Sequence, residues 1–119
     1  MLDLIRSLPW AILPESLVEI CRWATGHRAG HSSLTRPLEP QAATKRQAKS
    51  GGMVAVIPIQ GVITHKSGMF DDWFGASSTE SIGRMFDSAV ADPSVKSILL
   101  DIDSPGGTVF GVAELSQRI

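Results

Sequence analysis

The stretch that decides the fold is Ser97-Ile-Leu-Leu-Asp-Ile-Asp-Ser-Pro-Gly-Gly-Thr-Val-Phe110. Its first half is short, apolar and rich in Ile and Leu, the pattern of a strand buried in a sheet. It runs into Asp103-Ser104-Pro105-Gly106-Gly107, a diglycine turn at the strand's carboxyl end. Two adjacent residues without side chains leave their backbone N–H groups open to close approach. Amide donors so placed are the raw material of an oxyanion hole, which stabilises the negative charge that develops in acyl transfer. Gly106 and Gly107 are therefore the candidate site residues. The remainder, 108–119, holds Ser116 but neither Lys nor His, so half of an active site is expected here.

Working outward, Met53-Val-Ala-Val-Ile57 is a second continuous apolar run, expected to form a strand covered on both faces. Pro58 is expected to interrupt its ladder, with Ile59 to Ile63 continuing through a glycine bend at Gly61. His65 to Gly75 reads as a loop carrying Phe70, Trp73 and Phe74. Ser77-Ser-Thr-Glu80 matches a capping box, a hydroxyl at the N-cap and a Glu three residues later. Ile82, Met85, Phe86 and Ala89 follow at helical spacing, and Pro93 lies beyond the end. Val112, Leu115 and Ile119 predict that another helix begins after the diglycine turn. Strand, helix, strand is a βαβ unit, so the two strands should be parallel with a right-handed crossover whose helix buries Ile82, Met85 and Phe86 on the sheet.

The chain divides into three expected regions: 1–26, 27–52 and 53–119. In the first, Pro14 suits the first helical position, Glu15 the first turn, and Leu17, Ile20, Cys21 and Ala24 form an apolar stripe ending near Gly26. Arg6, Arg22 and Arg28 are too few for a membrane-surface face, so this amphipathic helix is expected to pack on protein. Residues 27–52 are rich in Gly, Ser, Thr, Pro and Gln, lack aromatics, and read as a flexible linker. His27 and His31 lie within it, and with no third ligand they read as solvated rather than as a metal pair. Cys21 is the single cysteine, which excludes an intrachain disulfide and suits a reducing compartment. A net charge of −1 gives no general attraction to nucleic acid or anionic lipid. Asp3 ahead of the first basic residue, with Pro9 and Pro14 breaking the apolar run, argues against a signal peptide. No stretch reaches the roughly 20 apolar residues of a membrane anchor.

Other uses of a glycine turn fit less well. Gly106-Gly107-Thr-Val-Phe-Gly111 lacks dinucleotide spacing, no Gly-Lys-Ser/Thr ending exists for a phosphate loop, and Ser104 lacks the first glycine of a nucleophile elbow. Ser104 is expected to be a turn hydroxyl, and Asp103 to support the turn by bonding its amides. Asp101 and Asp103 point to one side of the strand but have no metal-type partner.

Three features together resemble the serine peptidase family of signal peptide peptidase A and the phage minor capsid protein C proteases. They are Val56-Ile-Pro-Ile-Gln-Gly-Val-Ile63, the capped helix, and Ile98-Leu-Leu-Asp-Ile-Asp-Ser-Pro-Gly-Gly107. The match covers about residues 53–119, and Pro9-Trp-Ala-Ile-Leu-Pro14 looks like the opening of the phage branch. The resemblance implies an α/β chain with part of a ClpP/crotonase-like fold. It implies a Ser–Lys dyad lying downstream, with no catalytic residue in this chain, and the oxyanion role on Gly106 and Gly107. Lys96 and Ser116 are poor substitutes for the dyad, the first preceding the strand and the second sitting mid-helix. The implied function is endoproteolysis of capsid or scaffold proteins, or signal-peptide-peptidase-like proteolysis, with no cofactor and no metal. The implied partners are protein substrates, further copies of the chain, and capsid or portal proteins, with neither nucleic acid nor a membrane anchor. The expected location is the cytoplasm, or the virion if phage-encoded.

By itself this chain is expected to be an inactive amino-terminal piece of such a peptidase. Two parallel strands with one crossover are few for independent stability, and strands 53–59 and 97–102 should expose pairing edges and favour aggregation. Two alternatives are a structural or assembly protein with a vestigial peptidase half, and a crotonase-like acyl-CoA enzyme, for which no basic loop is visible.

Overall fold

A computed structural model describes residues 5, 7–26, 43–47, 51–66 and 76–119. His27, His31, Phe70, Trp73 and Phe74 lie outside the described residues, as does most of the expected linker. The elements in chain order are β1 (Trp10–Ile12), α1 (Pro14–Gly26), β2 (Thr44–Gln47), β3 (Met53–Gln60), β4 (Ile63–Thr64) and β5 (Ser77–Ser78). They continue with α2 (Thr79–Ala91), β6 (Val95–Asp103), β7 (Gly106–Thr108) and α3 (Val112–Arg118). The result is a mixed α/β arrangement with two sheets, ordered β2-β3-β6 and β1-β7-β4-β5.

The apolar runs behave as their composition dictates. β3 and β6 pair in parallel from Met53 opposite Val95 to Gln60 opposite Asp103, with α2 in the connection. Ile57, Ile59 and Ile82 form the buried centre, and Met85, Phe86, Ile98, Leu100 and Leu115 pack against it. A second cluster, Ile5, Ile20 and Ala24, gathers Trp10, Ile12, Leu17, Cys21 and Val62 around α1. Cys21 is thus a packing residue, as its place in the stripe implies. Among the described residues no helix is long and apolar enough to cross a membrane.

Four expectations are corrected. Pro58 does not interrupt β3, which runs unbroken past it to Gln60. The N–H groups of Met53 and Gly61 point to the β6 side, donating to Ser94 O and Asp103 O. Alternation therefore turns position 58 the other way, beyond the pairing of Thr44 with Val56, so among the described residues the missing donor costs no ladder bond. The N-cap of α2 is Ser78 rather than Ser77, its Oγ accepting from Ser81 N–H at 3.1 Å. Ser77 instead splices β5 to β3, donating from Oγ to Gln60 O at 2.9 Å and accepting from Gln60 N–H at 3.0 Å. Thr44–Gln47, inside the expected linker, forms β2 and pairs antiparallel with Met53 to Val56, so β3 is an interior strand there. Finally, β1 precedes α1 in a segment read as helix alone.

Lys45 on β2 is ion-paired with Asp92, the C-cap residue of α2. Ser94 adds a hydroxyl bond of 2.6 Å and an amide bond of 2.9 Å to the same carboxylate. The Lys45 ammonium first, and Ser94 next, hold the Asp92 carboxyl well below the usual carboxylate range. The folded state therefore takes up the proton less readily than the unfolded chain. Any stabilisation is complete above about pH 4 and lost as pH falls below it. Asp92→Asn should lower the urea midpoint at neutral pH, and the gap from wild type should narrow steadily as the pH falls below about 4.

Candidate functional site

β6 ends at Asp103, and the turn through Ser104 and Pro105 delivers β7 into the second sheet. Gly61, with φ of 70°, makes the matching bend after β3, and its N–H donates to Asp103 O at 3.0 Å. Ser104 Oγ donates to Gly61 O at 2.6 Å and accepts from Gly106 N–H at 3.1 Å. One hydroxyl thereby ties the two bends together, as its single donor and two lone pairs permit. Ser104 is a turn hydroxyl, in agreement with the sequence. Asp103 departs from expectation: its exposed side chain leaves the turn amide to Ser104, and it contributes its backbone carbonyl instead.

The two glycines sit where strands converge. Gly106 has φ of 111°, a conformation side chains resist, and an added Cβ would strike Ala11 O and come within 2.9 Å of Ile12 Cα. A Cβ on Gly107 would strike Ile63 O and lie 2.6 Å from Ile63 C and 2.7 Å from its N. β7 is squeezed between β1, paired antiparallel with Ala11 opposite Gly107, and β4, paired in parallel with Ile63 opposite Gly107. These close approaches give both glycines a structural reason independent of any chemistry.

The amides are also accounted for. Leu13 N–H donates to Pro105 O at 3.0 Å and Val109 N–H to Pro9 O at 3.2 Å. Hydrogen-bonded pairs alternate along an antiparallel ladder, so Ala11 and Gly107, midway between those two, exchange both their backbone bonds. Gly107 N–H is thus directed at Ala11 O, and Gly106 N–H at Ser104 Oγ. The structure brings Gly106 and Gly107 together at the end of the sheet, with both donors engaged.

The remaining candidates lie elsewhere. Lys96 is at the opposite end of β6, roughly 23 Å from Asp103 at ~3.3 Å per residue. Ser116 is exposed on α3 and donates back to Ala113 O at 2.8 Å. Asp101 and Asp103 are exposed on β6. Among the described residues no group of three His, Cys, Asp or Glu side chains is placed to hold a metal.

Sequence reasoning missed the junction beyond β7. There Thr79 Oγ donates to His65 O at 3.1 Å, and Gly111, with φ of 78°, packs so tightly that a Cβ would strike His65 Nδ1 and Thr79 Oγ1. Thr108 Oγ1, three residues before Gly111, is buried without a hydrogen-bond partner among the described residues. Only the isolated glycine at 111 signalled a close approach.

No family model and no solved structure matches the chain. Two curated proteins do. The head-tail preconnector protein of Enterobacteria phage P21 is 34% identical over 84 residues, 68% of this chain and 17% of that protein. The capsid assembly protease C of Escherichia phage lambda is 31% identical over 80 residues, 67% of this chain and 18% of that protein. The chain therefore spans less than a fifth of the length of either relative. It is a partial homologue of a phage preconnector protein and a phage capsid assembly protease.

Proposed function

We infer that this chain forms the amino-terminal part of a serine-type peptidase unit used in phage head assembly, on a ClpP/crotonase-like frame. The observation that carries the inference is the identity with a capsid assembly protease over two thirds of this chain. The parallel β3–α2–β6 unit ending in a diglycine strand supports it, since that is where acyl-transfer chemistry requires backbone donors.

In this reading Gly106 and Gly107 receive the oxyanion, while the nucleophilic serine and its lysine base are assigned to sequence outside residues 1–119. The serine Oγ attacks the peptide carbonyl as the lysine takes its proton. The carbonyl oxygen becomes O⁻ and is met by the amides. The intermediate collapses by expelling the amine, which takes a proton, and water then releases the acyl group. The substrates are capsid or scaffold polypeptides, the assembly is a homo-oligomer in contact with capsid or portal proteins, and its place is the cytoplasm or virion.

The relation to a preconnector protein favours a second reading, an assembly role without turnover. One experiment separates the two. The full-length protein is incubated with the phage's scaffold and capsid proteins, with and without a serine-directed fluorophosphonate. Cleavage abolished by the probe is the expected result. Cross-linking to those proteins with no cleavage selects the assembly role.

A further inference from the structure

We propose that the segment carrying β1 and α1 is a removable strap over the diglycine strand, and that an extended polypeptide takes the place of β1 as antiparallel partner of β7. The inference rests on reading Gly106 and Gly107 as oxyanion donors. In that reading the strap holds the site closed, because Ala11 O occupies the Gly107 donor.

Of the covers on the two amides, only β1 is separable. Ser104 belongs to the turn itself and is bound to Gly61. β4 is held on both sides, by β5 and by β7, and follows directly from β3 through Gly61. Among the described residues β1 is an edge strand with one neighbour, three residues long and flanked by Pro9 and Pro14. Its apolar contacts belong to the α1 cluster of Ile5, Ile20 and Ala24, not to the centre formed by Ile57, Ile59 and Ile82. Trp10 Nε1 donates to Ile5 O at 2.7 Å, so the strap also carries that bond within itself. It can lift as a unit while the β3–α2–β6 core stays packed, the behaviour of a separate low-stability opening.

What replaces it is defined by the edge it leaves. Pro105 O and the N–H and C=O of Gly107 and Val109 N–H form a row of main-chain groups with the spacing of an antiparallel strand. A bare backbone edge is filled by an extended peptide through main-chain bonds, with side chains adding selectivity. The strap and a peptide therefore compete for one ladder, and the apparent affinity for the peptide scales with the fraction of strap open.

The test locks the strap reversibly. Pro9 and Val109 face each other across the ladder and are both exposed, so Pro9→Cys with Val109→Cys, in a Cys21→Ser background, permits a cross-link. Hydrogen exchange of the full-length protein is followed at Gly107 and at Ile57. With the thiols reduced, the Gly107 amide is expected to exchange at least tenfold faster than that of Ile57, and oxidation should remove the difference. A synthetic peptide of residues 8–14 at millimolar concentration should then slow Gly107 exchange at least threefold in Ala11→Pro, whose own strap lacks an N–H at position 11. Equal exchange at Gly107 and Ile57 in the reduced protein, no effect of oxidation, or no protection by the peptide would each overturn the proposal. None of these measurements reads proteolysis, so failure of the peptidase reading is seen separately in the cleavage assay.

Discussion

Gly107→Ala should dismantle the β1-β7-β4-β5 sheet, with a loss of stability beyond the ~1–3 kcal/mol usual for overpacking. The obstacle is the backbone of β4: a Cβ would strike Ile63 O while lying 2.6 and 2.7 Å from Ile63 C and N. No rotamer change relieves a clash with a paired strand. Either β4 separates from β7, abandoning the Ile63–Gly107 pairing, or β7 moves and abandons β1. Gly51→Ala is the control, since Gly51 also has positive φ, 84°, yet nothing lies within 4 Å of its added Cβ. That change should cost only the ~1–2 kcal/mol of a left-handed residue. Urea denaturation of the two variants checks the contrast, and equal losses would show that β7 is not pinned as described. An alanine at 107 therefore cannot report on catalysis, because it disturbs the fold first.

Ile57→Ala should cost ~2–5 kcal/mol, the range for truncating a large apolar side chain in a packed core. Ile57 is 0% exposed and touches the centre that joins β3 to α2. Against a total stability of about 5–15 kcal/mol for a folded domain, that is a large fraction. Leu99→Ala is the comparison: Leu99 is 54% exposed on β6, and its truncation should stay within about 0.5 kcal/mol. Chemical denaturation of both variants tests the assignment, and a loss under 1 kcal/mol at Ile57 would refute it.

The β3–α2–β6 unit was legible because its signals are local. Met53 to Ile57 and Ile98 to Leu100 are apolar runs of strand length, and Ile82, Met85, Phe86 and Ala89 repeat at helical spacing. The cap was misplaced by one because Ser77 and Ser78 are adjacent and chemically equal, and only β5 pairing decides between them. β2 was invisible for a different reason. Thr44-Lys-Arg-Gln47 has no apolar face, and it becomes a strand by pairing with β3, a tertiary effect overriding composition. Pro58 was misjudged because the direction of its missing N–H depends on register, which composition does not encode.

The candidate site was legible only in part. The diglycine and its position after β6 could be read from Asp103 to Gly107. What covers the glycines could not, because β1 pairs with β7 across nearly the whole length of the chain. Trp10, Ala11 and Ile12 between two prolines carry too short a pattern to declare a strand. That pairing engages the Gly107 donor, as Ser104 engages that of Gly106, so the proposed use of Gly107 as a donor requires β1 to move.

The most direct test of the peptidase reading removes the Gly107 donor without adding an atom to clash. Replacing residue 107 with glycolic acid, in the full-length protein, substitutes an ester oxygen for the N–H and leaves the side-chain space empty. Steady-state cleavage of the scaffold protein should show kcat reduced ~10²–10³-fold, the effect of losing one oxyanion donor, with KM not increased. A kcat within about twofold of the parent protein would contradict the claim that Gly107 meets the transition-state charge.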